Sequence, residues 1–331
     1  MRTLAGRRPI LQVHPTRRCN LRCAHCYSSS GPELRTELDV EQLVRAVQEA
    51  AALGYEQLSV SGGEPFLYGE LPRLLRSARE AGMVTTAVTN GTVLTPRRLE
   101  AVAPYLDVLA VSVDGTPAAH DLVRGSSTAF SRMRRGLAAV REVGLPFGLI
   151  ATLTLFNVDE LDWLARFAVE EGAAMLQVHP LTASGRAVAA MPGAVPDAQE
   201  LAAAAAEVLR LRREHPGLPV HLDAVTREQL LRDPRLFAPP EDADLPELVP
   251  LLVVTDDGTV VPLTYDIGAE HHWGSLHEAG LATLASRWRA EGAPRLAAAL
   301  ARAHAAVAAP GGPPMLFWYD ALGRREEVAV A

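Results

Sequence analysis

Two periodicities alternate along the first 190 residues. Short runs rich in β-branched and apolar residues, Ile10–His14, Gln57–Ser61, Met83–Thr89, Val108–Val113, Phe147–Leu155 and Met175–His179, are separated by amphipathic stretches. That is the pattern of βα units built around a parallel sheet. The clearest helix opens at Asp39, an N-cap with Gln42 three residues on, carries Leu43, Val44 and Val47 at helical spacing, and ends near Gly54. Residues 197–215 predict an alanine-rich helix, Leu201 through Arg213. The proline-rich stretch from Pro234 to Pro250 has no period and reads as a connector or a loop over the end of the sheet. Leu251–Thr255 and Thr259–Leu263 then flank Asp256-Asp257-Gly258, a hairpin turn. Helices over Leu281–Ala290 and Arg295–Ala308 follow. The aromatic tail Phe317-Trp318-Tyr319 suits a cover over the sheet, a last strand or simple docking. The pattern divides the chain into an α/β core, 1–215, and a small α+β extension, 216–331.

Composition narrows the partners. A chain of 331 residues with 48% hydrophobic residues can bury a large core. Its net charge of -7 speaks against a general nucleic-acid binder, which needs a basic face. No window approaches 18 uninterrupted apolar residues, so no membrane span is expected. Without a signal peptide the chain is expected in the cytoplasm.

Chemistry concentrates in Cys19-Asn20-Leu21-Arg22-Cys23-Ala24-His25-Cys26-Tyr27, which holds all three cysteines of the chain, directly after the first predicted strand. Three thiolates on one loop can ligate three irons of a [4Fe–4S] cube. No fourth cysteine exists, so one iron needs another ligand. A structural Cys3His zinc site, with His14 or His25 as fourth ligand, uses similar spacings; a disulfide with one free thiol fits a cytosolic chain less well.

The C-x3-C-x2-C spacing, with His25 before the last cysteine, resembles the signature of the radical S-adenosylmethionine (SAM) superfamily. The resemblance continues in order through Ser61-Gly62-Gly63-Glu64-Pro65, Thr89-Asn90-Gly91-Thr92, Ser112-Val113-Asp114-Gly115 and His120-Asp121-Leu122-Val123-Arg124-Gly125. It implies a partial (β/α)6 TIM barrel whose active site lies at the C-terminal strand ends. It also implies one [4Fe–4S] cluster held by Cys19, Cys23 and Cys26, and SAM chelated at the open iron and cleaved reductively to a 5′-deoxyadenosyl radical. His25 and Tyr27 would flank cluster and adenine. Gly62 and Gly63 would admit the methionine part of SAM, and Glu64 would receive its ammonium group. Asn90, Ser112, Asp114, Thr152 and Thr154 would reach the ribose or the carboxylate, Arg124 would pair with the carboxylate or organise its loop, and Leu181 would lie against adenine.

The hairpin followed by Gly274-Ser275-Leu276 and Leu281…Trp288 resembles the SPASM or twitch extension of peptide-modifying members, where a strand cysteine ligates an auxiliary cluster. Leu263 stands at the equivalent position, so the extension would be a degenerate, cysteine-free version. His271-His272-Trp273 reads as a polar loop. With every thiol on the cluster, a cysteine-quenched epimerisation and an auxiliary-cluster thioether synthesis both lose support. The expected substrate is a ribosomally made peptide, with a small metabolite (antibiotic, sugar or cofactor precursor) as the alternative and a non-catalytic metal-binding scaffold as the second. A flavodoxin- or ferredoxin-type electron donor is implied. With no room for a leader-binding domain before Ile10, leader recognition would fall to a separate protein or to the C-terminal region.

Overall fold

The computed structural model describes residues 8–232, 243–318 and 322. Twelve strands lie among them: β1 Ile10–Val13, β2 Gln57–Val60, β3 Val84–Thr89, β4 Val108–Ser112, β5 Phe147–Leu153, β6 Leu176–Pro180, β7 Val220–Leu222, β8 Val225–Thr226, β9 Leu251–Val254, β10 Thr259–Pro262, β11 Gly274–Ser275 and β12 Met315–Leu316. Ten of them form one sheet, in the order β11-β10-β9-β1-β2-β3-β4-β5-β6-β7. Strands β1 to β7 follow one another in parallel, as expected of βα units joined by helical crossovers.

The alternation seen in the sequence becomes two different faces. Leu11, Val13, Leu58, Val60, Ala87, Leu109, Val111, Leu149, Ala151, Leu176 and Val178 are buried against helix residues such as Leu43, Val47, Leu74, Leu99, Leu137 and Leu164. Burying each large aliphatic side chain contributes roughly 1.5–3 kcal/mol, so this layer holds the helices on. The opposite face carries the intervening residues, in register: Gln12 beside Ser59 beside Thr86, Ile150 beside Gln177, Thr152 beside His179. These stay partly exposed. A closed eight-stranded barrel fills its interior with side chains; this sheet keeps its edges, and its inner face remains a polar, water-accessible trough.

Local signals fix the helices. Asp39 caps helix Val40–Ala52 by accepting from the Gln42 backbone N–H at 3.0 Å. Asp197 and Glu200 form a capping box on helix Ala198–Glu214, which contains the predicted 201–213 segment.

The extension is built into the sheet. β9 and β10 form the expected antiparallel hairpin, with Gly258 at φ +82° in the turn. β9 also pairs in parallel with β1, Ile10 beside Leu251 through Val13 beside Val254. Both the sheet and the main hydrophobic cluster run continuously across residue 215. His271-His272-Trp273 departs from the polar-loop expectation: His271 and Trp273 are buried, Trp273 stacks on Trp288 at 5.0 Å, and the Trp288 indole donates to the His271 carbonyl. Two indoles from different segments supply the apolar surface that draws this turn inward. Of the tail, Phe317 meets the His179 ring edge-on at 4.8 Å and Trp318 is buried, while Tyr319 lies outside the described residues, as does the 233–242 part of the proline-rich stretch.

Candidate active site at the C-terminal ends of the strands

The loop after β1 is clamped from every side. Its own strands meet through Arg17 N–H to the Thr36 carbonyl at 3.1 Å and Cys19 N–H to the Gly31 carbonyl at 3.2 Å. The loop after β2 docks onto it: Gly63 donates to the Thr16 carbonyl and Glu64 to the Arg18 carbonyl, both at 2.9 Å. A Cβ on Gly63 would stand 2.2 Å from the Arg18 oxygen, and one on Gly62, at φ +104°, 2.9 Å from the Thr16 oxygen. The glycines therefore serve close backbone approach to the cysteine loop itself. From the segment after β6, Arg186 donates to the Cys23 and Ser30 carbonyls at 2.7 and 2.6 Å. A Cβ on Gly185 would collide with the Tyr27 and Cys26 carbonyls.

Within this clamp all three cysteines are free; Cys19 and Cys23 are buried and Cys26 is half-buried. Each sulfur has a polar neighbour: Asn90 Nδ2 at 3.8 Å from Cys19, Arg124 Nη1 at 3.9 Å from Cys23, and Ser28 Oγ at 3.5 Å from Cys26. Burial pushes the Cys19 thiol up to about 12 and raises Cys23, where Arg124 opposes the effect. Binding a metal would displace those protons and supply the missing counter-charge. Among the described residues no three His, Cys, Asp or Glu side chains converge on one ion position. The donor set fits a [4Fe–4S] cluster: three unpaired thiols, N–H donors beside two of them, and the ring Nδ1 atoms of His14 and His25 buried without a partner.

A second layer ties this loop to the later strands. Arg124 donates to Asp114 Oδ2 at 2.6 Å, both side chains almost fully buried. Burial works to raise the Asp114 carboxyl, but the Arg124 guanidinium overrides it and holds the carboxyl well below the usual carboxylate range. Asp114 Oδ1 also accepts from the Thr152 N–H at 3.1 Å, and His120 Nδ1 accepts from the Asp114 N–H. Burial lowers His25 and His120 to about 4, so both rings are neutral at pH 7. Glu64 is fully buried and accepts from Phe66 N–H, Thr89 Oγ1 and Asn90 N–H, at 3.1, 2.8 and 2.9 Å. Burial pushes its carboxyl up, and these bonds pull back.

The sequence-predicted residues thus fall into connected groups. Cys23, Arg124, Asp114 and Thr152 form one bonded chain, while Asn90 stands beside Cys19 and Ser28 beside Cys26. Ser112 ends β4, with Asp114 two residues on. Thr154 bonds to Asn157 Oδ1 and to the Phe156 N–H, shaping its own loop. Leu181 is buried in a small separate cluster with Ala187, Met191 and Ala194. Tyr27 sits in an aromatic group: its hydroxyl lies 3.3 Å from His14 Nε2 and 3.2 Å from Ser61 Oγ, and its ring is edge-on to Tyr265 at 5.2 Å.

Sequence reasoning missed Tyr265, which stacks on His14 at 4.9 Å and so joins the extension to the cysteine loop. Leu263 at φ +66°, two residues earlier, turns the chain there. It also missed Asn157, which bridges the Asp114 and Thr152 carbonyls, and the His179–Asp223 pair at 3.0 Å, which Gln177 supports from the same oxygen. No local spacing signals such contacts, because most of their partners lie tens to hundreds of residues apart.

Two buried thiols and one half-buried on the first βα loop, at the open end of a parallel trough, suit a cluster-binding α/β protein. Residues 13–168, somewhat under half of the chain, match the model of the Radical SAM superfamily, so the chain carries a radical SAM domain there, of a family that uses a [4Fe–4S] cluster and SAM. Similar proteins include a PqqA peptide cyclase of Ruegeria pomeroyi, 39% identical over 166 residues, spanning 49% of this chain and 44% of that protein. An Fe-coproporphyrin III synthase of Methanosarcina barkeri is 33% identical over 184 residues, 54% of this chain and 46% of that one. The chain spans about half the length of these relatives. In fold it resembles Streptococcus suis SuiB bound to S-adenosylmethionine, at a TM-score of 0.66 and 18% identity, over 85% of this chain and 68% of SuiB. It also resembles anSMEcpe bound to AdoMet and a Cp18Cys peptide, at 0.66 and 17%, over 88% and 83%.

Proposed function

We propose that this chain is a radical SAM enzyme acting on a ribosomally made peptide. The observation that carries the reading is the set of three free, mostly buried thiols with Asn90 and Arg124 beside them at the head of a polar trough. Cys19, Cys23 and Cys26 would hold the cluster. When bound, the cluster and SAM supply one electron and a carbon-centred abstractor of hydrogen atoms. The chain's own residues do the rest. Asn90 and Arg124 offer N–H donors that stabilise thiolate charge; Asp114 keeps Arg124 in place; neutral His25 and Tyr27 pack the flanks of the loop and exclude water from it. Gly62 and Gly63 hold the second loop against the first. Glu64, Ser112, Thr152, Thr154 and Leu181 remain proposed SAM contacts, and the half-exposed trough residues Gln12, Ser59, Gln177 and His179 are placed to meet a substrate.

The peptide substrate is supported by the PqqA peptide cyclase and the peptide complex of anSMEcpe. A cofactor-precursor substrate is the second reading, supported by the Fe-coproporphyrin III synthase of Methanosarcina barkeri. The extension, free of cysteine after Cys26, continues the sheet beyond β1 and would hold no cysteine-ligated cluster. We place the enzyme in the cytoplasm with an acidic electron carrier; no helix among the described residues is long and apolar enough to cross a membrane. The test is an anaerobic incubation with SAM, dithionite and short peptides encoded beside this chain. Formation of 5′-deoxyadenosine with a mass change in a peptide supports the reading. 5′-Deoxyadenosine with peptides unaltered, and a tetrapyrrole precursor altered, transfers it to the second.

A further inference from the structure

Strands β6 and β7 put a second piece of chemistry on the trough face, apart from the cysteines. Val178 and Val220 are buried against the helices, so by alternation Gln177, His179 and His221 fall on the trough side. Asp223 follows on the same parity. Its N–H bonds to the Val178 carbonyl at 2.9 Å, which carries the β6–β7 ladder one step past Leu222. On the other side His179 stands in register with Thr152, whose N–H is held by Asp114. The group is thus built on strands, where side chains are held more closely than on a loop.

Asp223 Oδ2 lies 3.0 Å from His179 Nδ1 and accepts from the Gln177 amide at 2.6 Å. An ionised carboxylate only accepts, so at that distance Nδ1 carries a hydrogen and the neutral ring keeps its lone pair on Nε2. The Asp223 side chain is 13% exposed and that of His179 41%. The carboxylate is therefore sheltered while the ring reaches the water-accessible trough. Phe317, just after β12, meets the ring edge-on at 4.8 Å and limits its swing. A base needs both its tautomer and its plane fixed in this way. Of the half-exposed trough residues Gln12, Ser59, Gln177 and His179, only the imidazole takes up and returns a proton near neutral pH.

We propose that His179 is a general base of the trough, taking a proton from an O–H or N–H group of the substrate, with Asp223 and Gln177 as its positioning residues. The proposal rests on the radical SAM reading above and adds a proton step to it, since abstraction of a hydrogen atom from carbon leaves the protic groups of a substrate untouched. The step balances by itself. The substrate O–H or N–H bond breaks, an Nε2–H bond forms, and the electron pair stays on the substrate heteroatom. No electron changes hands. The Asp223 carboxylate faces the imidazolium so formed, and the proton then leaves to water from the exposed edge of the ring.

The experiment uses the full, cluster-loaded chain under anaerobic conditions and has two arms. In the first, diethyl pyrocarbonate, which acylates a neutral imidazole nitrogen, labels the protein, and peptide mass mapping follows each histidine. His179 should label about threefold or more slowly in Asp223→Asn than in wild type, because the carboxylate that makes the ring more basic is gone. His277, exposed with Nδ1 facing the Gln42 amide, should label alike in both and serves as the internal reference. In the second arm, the peptide or tetrapyrrole precursor altered in the incubation above is given to His179→Ala and His179→Gln. Product counted per 5′-deoxyadenosine should fall about a hundredfold in both. Added imidazole should restore it about tenfold or more in His179→Ala only, where it has room to bind. The glutamine variant, close to the ring in size and polarity, guards against a loss of fold. An unchanged labelling rate in Asp223→Asn, an undiminished product ratio in His179→Ala, or a loss that imidazole does not restore overturns the assignment. Absence of 5′-deoxyadenosine from wild type would instead sink the radical reading, and the labelling arm then judges the pair by itself.

Discussion

Replacing Asp114 by Ala tests whether the network behind the cysteines is held by charge pairing. In wild type Arg124 and Asp114 lie 2.6 Å apart, 8% and 2% exposed. Removing one partner of a buried pair leaves an uncompensated charge and typically costs about 3–5 kcal/mol. Asp114→Ala also strands the Thr152 N–H, which adds to the loss. A double variant, Asp114→Ala with Arg124→Leu, removes both charges, so it should recover at least about 2 kcal/mol of the single-variant loss, a clear departure from additivity. Acid should act in the same direction. The Asp114 carboxyl is held below its ordinary value of 3.8, so its contribution is complete above that value and fades as the pH falls below it. Urea unfolding of the metal-free protein, under reducing conditions at pH 7 and at about pH 3, below the ordinary carboxyl value, measures all of this. A loss under about 1 kcal/mol for Asp114→Ala, or strict additivity in the double variant, would refute the reasoning.

Other expectations follow from the same contacts. Gly63→Ala should impair iron loading severely, since its Cβ would stand 2.2 Å from the Arg18 oxygen, whereas Gly69→Ala, with nothing within 4 Å, should load as wild type; iron analysis after reconstitution decides. Tyr265→Phe should cost about 0.5–1.5 kcal/mol through loss of its bond to Asp256, and Tyr265→Ala distinctly more through loss of the stack on His14, both read from denaturant midpoints. Cys23→Ala should abolish 5′-deoxyadenosine formation while leaving the far-ultraviolet circular dichroism unchanged; retained cleavage would remove Cys23 from the cluster.

The barrel strands were legible because burial follows period-two alternation so closely: Leu58 and Val60 turn to the helices, Gln57 and Ser59 to the trough. The Asp39 cap and the cysteine loop were legible for equally local reasons. What escaped the sequence was long-range. β7 is three residues, Val220–Leu222, too short to show a period, and the parallel pairing of β9 with β1 joins residues some 240 positions apart. Asp114 reads as a candidate SAM contact because it follows a strand end; its bond to Arg124, ten residues on at the end of the next helix, is what a one-dimensional pattern does not show. The turn at 271–273 read as polar on its histidines, but Trp273 and Trp288 decide its burial together.

On the proposed reading, three thiolates hold a cluster with one vertex left for SAM. Electron paramagnetic resonance of the anaerobically loaded, dithionite-reduced chain, recorded with and without SAM, tests it most directly. The expected result is the signal of a reduced [4Fe–4S] cluster that changes shape when SAM is added. A protein that takes up zinc and no iron, or a cluster signal indifferent to SAM, would contradict it.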